Sequence, residues 1–324
     1  MPKNVLLLTH SQDHFTIDLV QRALTNRGIR AIRVDTDQFP EQLRIGMSIG
    51  GPQREASLRV DGETLYSGDI HAVWLRRLQS AQFSQEIEPA YRQACLNESG
   101  EVLRIFLTSL NRIPWIDPLA TTRRAADKHW QLELAQSVGL AIPRTLITND
   151  APQASSFYHA CGGEVVAKLL TGLSRGMQAS NFFVYTSAMQ EKNLADLDQL
   201  RFSPMVFQSR VPKQYELRVI CVDGKCFAAR IDASATEHGT VDWRLSRPDE
   251  VGWQTYELPP AVTGSLRQLM RRLRLVYGAV DLIRSTNGDY VFLEVNPAGE
   301  WGMLQRDLDY PIAESIAQAF TKRL

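Results

Sequence analysis

Residues 278–299 read GAVDLIRSTNGDYVFLEVNPAG. Two apolar runs, 279–283 and 291–295, flank the dipeptide Asn287-Gly288, a strong short-range hairpin signal. Each run carries one acid inside it, Asp281 in the first and Glu294 in the second. Side chains alternate along a strand, so Asn296 shares the face of Glu294. Two carboxylates facing each other across a hairpin repel, and one gives up its charge unless a cation sits between them. Magnesium suits such a set: it takes oxygen ligands, keeps waters, and is completed by substrate phosphates. The competing reading pairs each carboxylate with a nearby arginine such as Arg284 or Arg230.

Upstream, residues 216–220 and 226–231 flank an Asp223-Gly224 turn and read as a second hairpin. Glu216 and Arg218 share a face by period two, as do Arg230 and Asp232 on the return strand. Several charges on a sheet face suggest a lined site. The run MVFQSRV at 205–211 reads as a strand entering a polar turn, where Gln208, Ser209, Arg210 and Val211 can present backbone groups to an adenine edge. In VVAKLL, 165–170, Lys168 lies inside an apolar strand. A lysine there costs desolvation unless an anion meets it, and a nucleotide phosphate would. The alternative is a lysine reaching solvent from a strand edge. The small-residue loop TGLSRG at 171–176 could let backbone N–H groups approach phosphate, without P-loop spacing. Residues 121–138 predict one helix, capped by Thr121 or Thr122 and stopped by Gly139. Lys128 sits on it, by default a solvated charge.

The first third has a different rhythm. A buried strand at 5–9, a helix at 14–26 stopped by Gly28, and a strand at 31–34 make a β-α-β unit with a parallel sheet. Its first turn, His10-Ser11-Gln12-Asp13, contains no glycine, which excludes a dinucleotide fingerprint. His10, Ser11 and Asp13 read as a polar turn before the helix. Residues 44–66 predict a small antiparallel meander, 72–75 a buried strand feeding Arg76 and Arg77, and 86–110 a helix. For the two arginines, a solvated loop and a substrate contact weigh equally. The prolines of IPWIDPLA, 113–120, place a boundary there. The expected organisation is α/β (α+β), with units at 1–118, 119–204 and 205–324.

Lys plus Arg and Asp plus Glu both number 36, which argues against holding nucleic acid by bulk charge. Four cysteines without a CxxC pair suggest neither a zinc site nor a disulfide framework, and a reducing cytoplasmic setting fits. Cys221 and Cys226 are expected as small fillers on adjacent strands. No stretch reads as a signal peptide or a membrane span.

Taken together, Lys128, Lys168, residues 208–211, Glu216-Leu217-Arg218, Arg230 and the Asp281/Glu294/Asn296 triplet resemble the ATP-grasp superfamily over 119–324. The first third then looks like the preceding α/β domain. LLLTHSQDHFTIDLV, VDTDQFP, VWLRR, VDWR at 241–244 and LEVNPAGEWGMLQ narrow the resemblance to the microviridin-type (graspetide) peptide-cyclising ligases. The segment at 299–303 looks more like the amide-forming than the ester-forming branch. The glycine loop departs from many ATP-grasp enzymes in having fewer glycines.

The resemblance implies ATP and Mg2+ as cofactors, with Asp281, Glu294 and Asn296 on the metal. It implies Lys128 and Lys168 on the α- and β-phosphates, and Gln208 and Val211 at adenine, with Ser209 and Arg210 between them. Glu216 would take a ribose or lysine contact. Arg218 and Arg230 would act on the transferring phosphoryl group, and Arg244 on the substrate carboxylate. The implied substrate is a ribosomal precursor peptide with a leader segment, crosslinked through ω-amides or ω-esters; the enzyme is expected to be cytoplasmic, with a homodimer as one expected state. The rival expectations are a glutamate- or glutathione-type ligase, a kinase on the same fold, and a non-catalytic ATP-binding module.

Overall fold

The computed structural model describes residues 2–50, 55–170, 186–232 and 252–324. The loop at 171–176 and Arg244 with the rest of 241–244 lie outside the described residues.

The first third folds as its periodicities dictate. Strand β1 (Asn4–Thr9) is an apolar run flanked by helix α1 (Phe15–Thr25) and strand β2 (Arg30–Asp35). Gly28, at φ 71°, lets the chain leave α1 in the left-handed region that a side chain disfavours. Strands β3 (Arg44–Ser48), β4 (Glu55–Val60) and β5 (Glu63–Tyr66) form the antiparallel meander. Strand β6 (Ile70–Leu75), helix α2 (Pro89–Ser109) and strand β7 (Trp115–Ile116) complete the unit. β1 pairs in parallel with β2 and β6, giving the order β2-β1-β6-β7. The carboxyl ends of β1 and β6 therefore lie side by side, and this is the edge where open α/β sheets bind ligands.

Two short helices follow, where the sequence predicts one. Helix α3 (Leu119–Ala125) stops, and helix α4 (Lys128–Ser137) starts again after Asp127, whose carboxylate accepts a hydrogen bond from the Trp130 N–H at 3.0 Å. The aspartate is an N-cap, so Lys128 is the first residue of a helix rather than the middle of one.

A small sheet comes next. Strand β8 (Thr145–Thr148), helix α5 (Ala151–Ala160), strand β9 (Val165–Lys168), strand β10 (Ser187–Ala188), a 3-10 segment at Glu191–Arg201 and strand β11 (Met205–Ser209) build the antiparallel order β10-β9-β11-β8. Its core is its own: Ala154, Tyr158, Val165, Leu197, Leu200 and Phe207.

The last sheet carries the opening motif. Strands β12 (Lys213–Val222), β13 (Lys225–Ile231) and β14 (Gln254–Tyr256), helix α6 (Pro260–Leu273), strands β15 (Tyr277–Ser285) and β16 (Tyr290–Asn296), and helices α7 (Gly302–Leu308) and α8 (Ile312–Thr321) complete the chain. The sheet order is β14-β13-β12-β15-β16, all antiparallel. One face, with Leu217, Val219, Val280 and Leu282, packs under α4 and α6. The other, with Ile220, Val222, Ala229 and Ala279, shares a core with Val5, Leu7, Ile17, Leu24 and Trp74 of the first unit and with Trp301, Ile312, Ile316 and Phe320. The first and last parts of the chain thus bury one common core, sealed where Asp117 accepts hydrogen bonds from the Val276 and Tyr277 N–H groups at 2.8 and 3.0 Å.

Candidate active site

The hairpin places the two acids opposite each other. Asp281 on β15 and Glu294 on β16 are direct partners, and Ala279 opposes Asn296 one pair further along the same face. Arg218 on β12 opposes Asp281 from the other side, and its guanidinium donates to the aspartate at 2.7 Å. Burial weakens the charge on Arg218, but the attraction of Asp281 outweighs it and holds the guanidinium more firmly protonated. Glu294 is ion-paired with Lys128. The carboxylates are therefore compensated by Arg218 and Lys128, not by Arg284 or Arg230.

Helix α4 reaches Glu294 for a reason visible in its first turn. Gln131, 1% exposed, caps the edge of the sheet with its amide: it donates to the Val295 carbonyl at 2.8 Å and accepts from the Val295 N–H at 2.9 Å. An edge strand otherwise presents unpaired backbone groups. That clamp sets Lys128, three residues earlier, beside Glu294.

The stretch after Asn296 folds back over the site. Asn296 Oδ1 accepts from the Ala298 N–H at 3.1 Å. Gly299 lies against Ala279 so closely that a Cβ would come within 2.4 Å of the Ala279 Cβ, so only glycine fits. Tyr277 donates to the Gly299 carbonyl at 2.7 Å, and Arg218 to the Glu300 carbonyl at 3.0 Å. From the first unit, Arg76, only 1% exposed, donates to the Ala298 carbonyl at 2.8 Å and is ion-paired with Glu300. Arg77 approaches Glu300 at 3.4 Å. Burial pushes the Glu300 carboxyl up, but Arg76 and the N–H groups of Gly302 and Trp301 outweigh it and hold it below the usual carboxylate range.

The other expected residues sit as follows. Glu216 lies on the face of Arg218, opposite Ile231, and accepts from Lys213 at 2.6 Å. Lys168 ends β9, half-buried, opposite Val206. The Gln208 side chain points into the small sheet, buried, and donates to Thr145 at 2.9 Å. Ser209 exchanges hydrogen bonds with the Arg144 backbone, and the Arg210 N–H donates to the Glu164 carbonyl. Val211 links β11 to β12. Arg230 opposes Leu217, not Arg218, so it leaves the sheet on the other face; there it donates to Gln254 at 2.6 and 2.8 Å and lies over the Tyr215 ring. The structure does not bring Arg230 together with Arg218. Sequence reasoning passed over Gln131, Lys213, Tyr277 and Glu300. Only Glu300, an acid within a glycine-rich turn after Asn296, carried a local signal.

Two carboxylates and an amide oxygen on a rigid sheet fit a hard divalent cation. Among the described residues no group of three His, Cys, Asp or Glu could hold a metal. A cation here would complete its shell with phosphate oxygens and water, as magnesium does with nucleotides.

Residues 4–123 match the family model of the MvdD pre-ATP grasp domain. The macrocyclase MdnB of Microcystis aeruginosa MRC is 40% identical, with 98% of each chain covered and a TM-score of 0.83. The chain belongs to the macrocyclase family of ATP-grasp ligases. Within that family, the macrocyclase MdnC of the same organism, solved bound with precursor peptide MdnA, is 31% identical over 98% of this chain and 99% of its own, at a TM-score of 0.88. A RiPP-associated ATP-grasp ligase of Chryseobacterium gregarium, solved with ADP and a leader and core peptide, is 29% identical over 99% and 97%, at a TM-score of 0.91. No curated protein sequence matches. As an ATP-grasp ligase, the chain is an enzyme that couples ATP to bond formation, and its fold is the mixed helix-and-sheet arrangement the sequence predicted. No helix among the described residues is long and apolar enough to cross a membrane.

Proposed function

We propose that this ligase activates Asp or Glu side chains of a ribosomally made precursor peptide as acyl phosphates and closes ω-amide crosslinks within it. The observation that carries the reading is the Asp281–Glu294 pair with Asn296, compensated by Arg218 and Lys128, in a chain alike from end to end to a macrocyclase and a RiPP-associated ATP-grasp ligase, each solved with peptide.

Asp281, Glu294 and Asn296 would hold magnesium, which would supply positive charge against the phosphates during transfer. Lys128 begins the reaction paired with Glu294. With metal and nucleotide present, it turns to the phosphates, joined by Lys168. The 208–211 segment holds the adenine through backbone groups, and Glu216 with Lys213 borders the ribose. A peptide carboxylate oxygen attacks the γ-phosphorus, the bond to the bridging oxygen breaks, and ADP leaves. Arg218 steadies the charge that moves onto the transferred group. A lysine amine of the peptide then attacks the acyl carbon; phosphate leaves and the amine gives up its proton. Arg244 orients the substrate carboxylate. Arg230, on the opposite face, stands apart from this chemistry. A leader segment of the peptide docks outside the site, and the enzyme works in the cytoplasm.

The test is to incubate the enzyme with ATP, magnesium and a precursor peptide encoded beside it. Each crosslink should remove one water from the peptide mass and release one ADP. Mild alkali should leave the links intact, since esters hydrolyse there and amides do not. Glu294→Gln should lower ADP release on the order of 100-fold. Ligation of free amino acids instead, with the peptide untouched, would overturn the proposal in favour of a small-substrate ligase.

A further inference from the structure

Arg76 and Arg77 are not a solvated loop. Arg76 leaves the carboxyl end of β6 and is buried to 1% exposure, an expensive place for a guanidinium unless its charge is paired; its two terminal nitrogens are hydrogen-bonded, while Nε has only the Asp13 carboxylate nearby. Its partners come from opposite ends of the chain: Asp13 at 3.5 Å, Thr16 Oγ1 at 3.4 Å, the carbonyls of Ala298 and Gly299 at 2.8 and 3.3 Å, and the Glu300 carboxylate. Glu300 faces two ways. One oxygen meets Arg76 and Arg77; the other accepts from the Trp301 and Gly302 N–H groups at 3.0 and 2.9 Å, at the start of α7.

What this clamp grips is the turn that fixes two groups of the metal set. Ala298, held through its carbonyl by Arg76, donates its own N–H to Asn296 Oδ1. An amide oxygen has two lone pairs, so that bond orients Asn296 and leaves one for a cation. Glu300, held through its carboxylate by Arg76, offers its carbonyl to Arg218, which in turn grips Asp281. Two separate routes thus run from Arg76 to the metal-facing atoms, one to Asn296 and one to Asp281.

We propose that Arg76 and Glu300 are positioning residues for phosphoryl transfer: the first unit reaches across to set Asn296 and Asp281 at the spacing a magnesium–nucleotide complex needs. The claim rests on the metal–nucleotide reading of the site. Partners that orient ligating groups typically change metal affinity 10- to 100-fold when lost.

Glu300→Gln tests it. The glutamine keeps an oxygen for the two N–H groups but turns an NH2 toward two arginines. Titrating Mn2+ by electron paramagnetic resonance with a non-hydrolysable ATP analogue should show metal affinity falling about tenfold. Affinity for the analogue without metal, and the unfolding midpoint, should stay close to wild type. Tyr277→Phe removes only the hydroxyl that holds the Gly299 carbonyl, and should weaken Mn2+ about threefold in the same direction. Arg76→Lys keeps the charge without the fork, and should behave as Glu300→Gln does. If Glu300→Gln unfolds earlier yet binds Mn2+ like the wild type, the pair merely joins two units and the proposal fails. If the wild-type protein binds no Mn2+ with the analogue, the metal–nucleotide reading fails first, before any variant is compared.

Discussion

Asp117 shows how much a single buried carboxyl can report. Burial pushes its pKa up to about 7, against the two N–H groups of Val276 and Tyr277 that favour the charged form. Its ordinary value is 3.8. The folded state therefore holds the proton more tightly than the unfolded chain. The stability this lends is full below pH 4 and is lost as pH rises to about 7, a linkage on the order of 4 kcal/mol. Asp117→Asn should be less stable than wild type at pH 4, by about 1–3 kcal/mol for the lost acceptor. The gap should narrow or reverse toward pH 7.5, read from urea midpoints along a pH series. A constant gap across that window would mean that Asp117 stays ionised in the folded protein. Arg230 teaches the opposite lesson about legibility. Alternation within β13 was plain in the sequence, but the register against β12 was not, and that register alone decides which face an arginine serves. Arg76 was harder still, because its partners in the 298–300 turn lie 222 to 224 residues away.

At the scale of elements, the strands were the legible part, since apolar runs and Asn-Gly or Asp-Gly turns announce them. The break between α3 and α4 was not, because aspartate reads equally well inside a helix and at its cap. That break matters: it makes Lys128 the first residue of α4, one turn before the Gln131 clamp. Asp127→Ala should cost about 1 kcal/mol of stability through the lost cap. It should also raise the KM for ATP severalfold while leaving kcat at saturating ATP near wild type, because it loosens the lysine without touching the carboxylates. Steady-state ADP release against ATP concentration checks this. An unchanged KM would detach Lys128 from nucleotide binding.

Across the whole molecule, the sequence reading expects three sections and gives no sign that the first and last share a core. Helix α1 packs on α8, and Leu24 and Ile316 are both fully buried in the same cluster. Leu24→Ala and Ile316→Ala should each cost about 2–5 kcal/mol. Both should shift one and the same unfolding transition, followed by tryptophan fluorescence, with Trp74 and Trp301 in that cluster. Two separate transitions would mean that the units fold independently.

That shared core also bears on the order in which the protein is made. A nascent chain emerges amino end first, and domains generally fold as they appear. Here one face of the sheet of residues 4–116 shares its core cluster with α1 and also with β12, β13, β15, residues 301–304 and the helix at 312–321. The first unit can pack α1 on its sheet as it emerges, while the partners between residues 220 and 320 come later. The core common to the first and last parts of the chain therefore closes only after the helix at 312–321 has been synthesised.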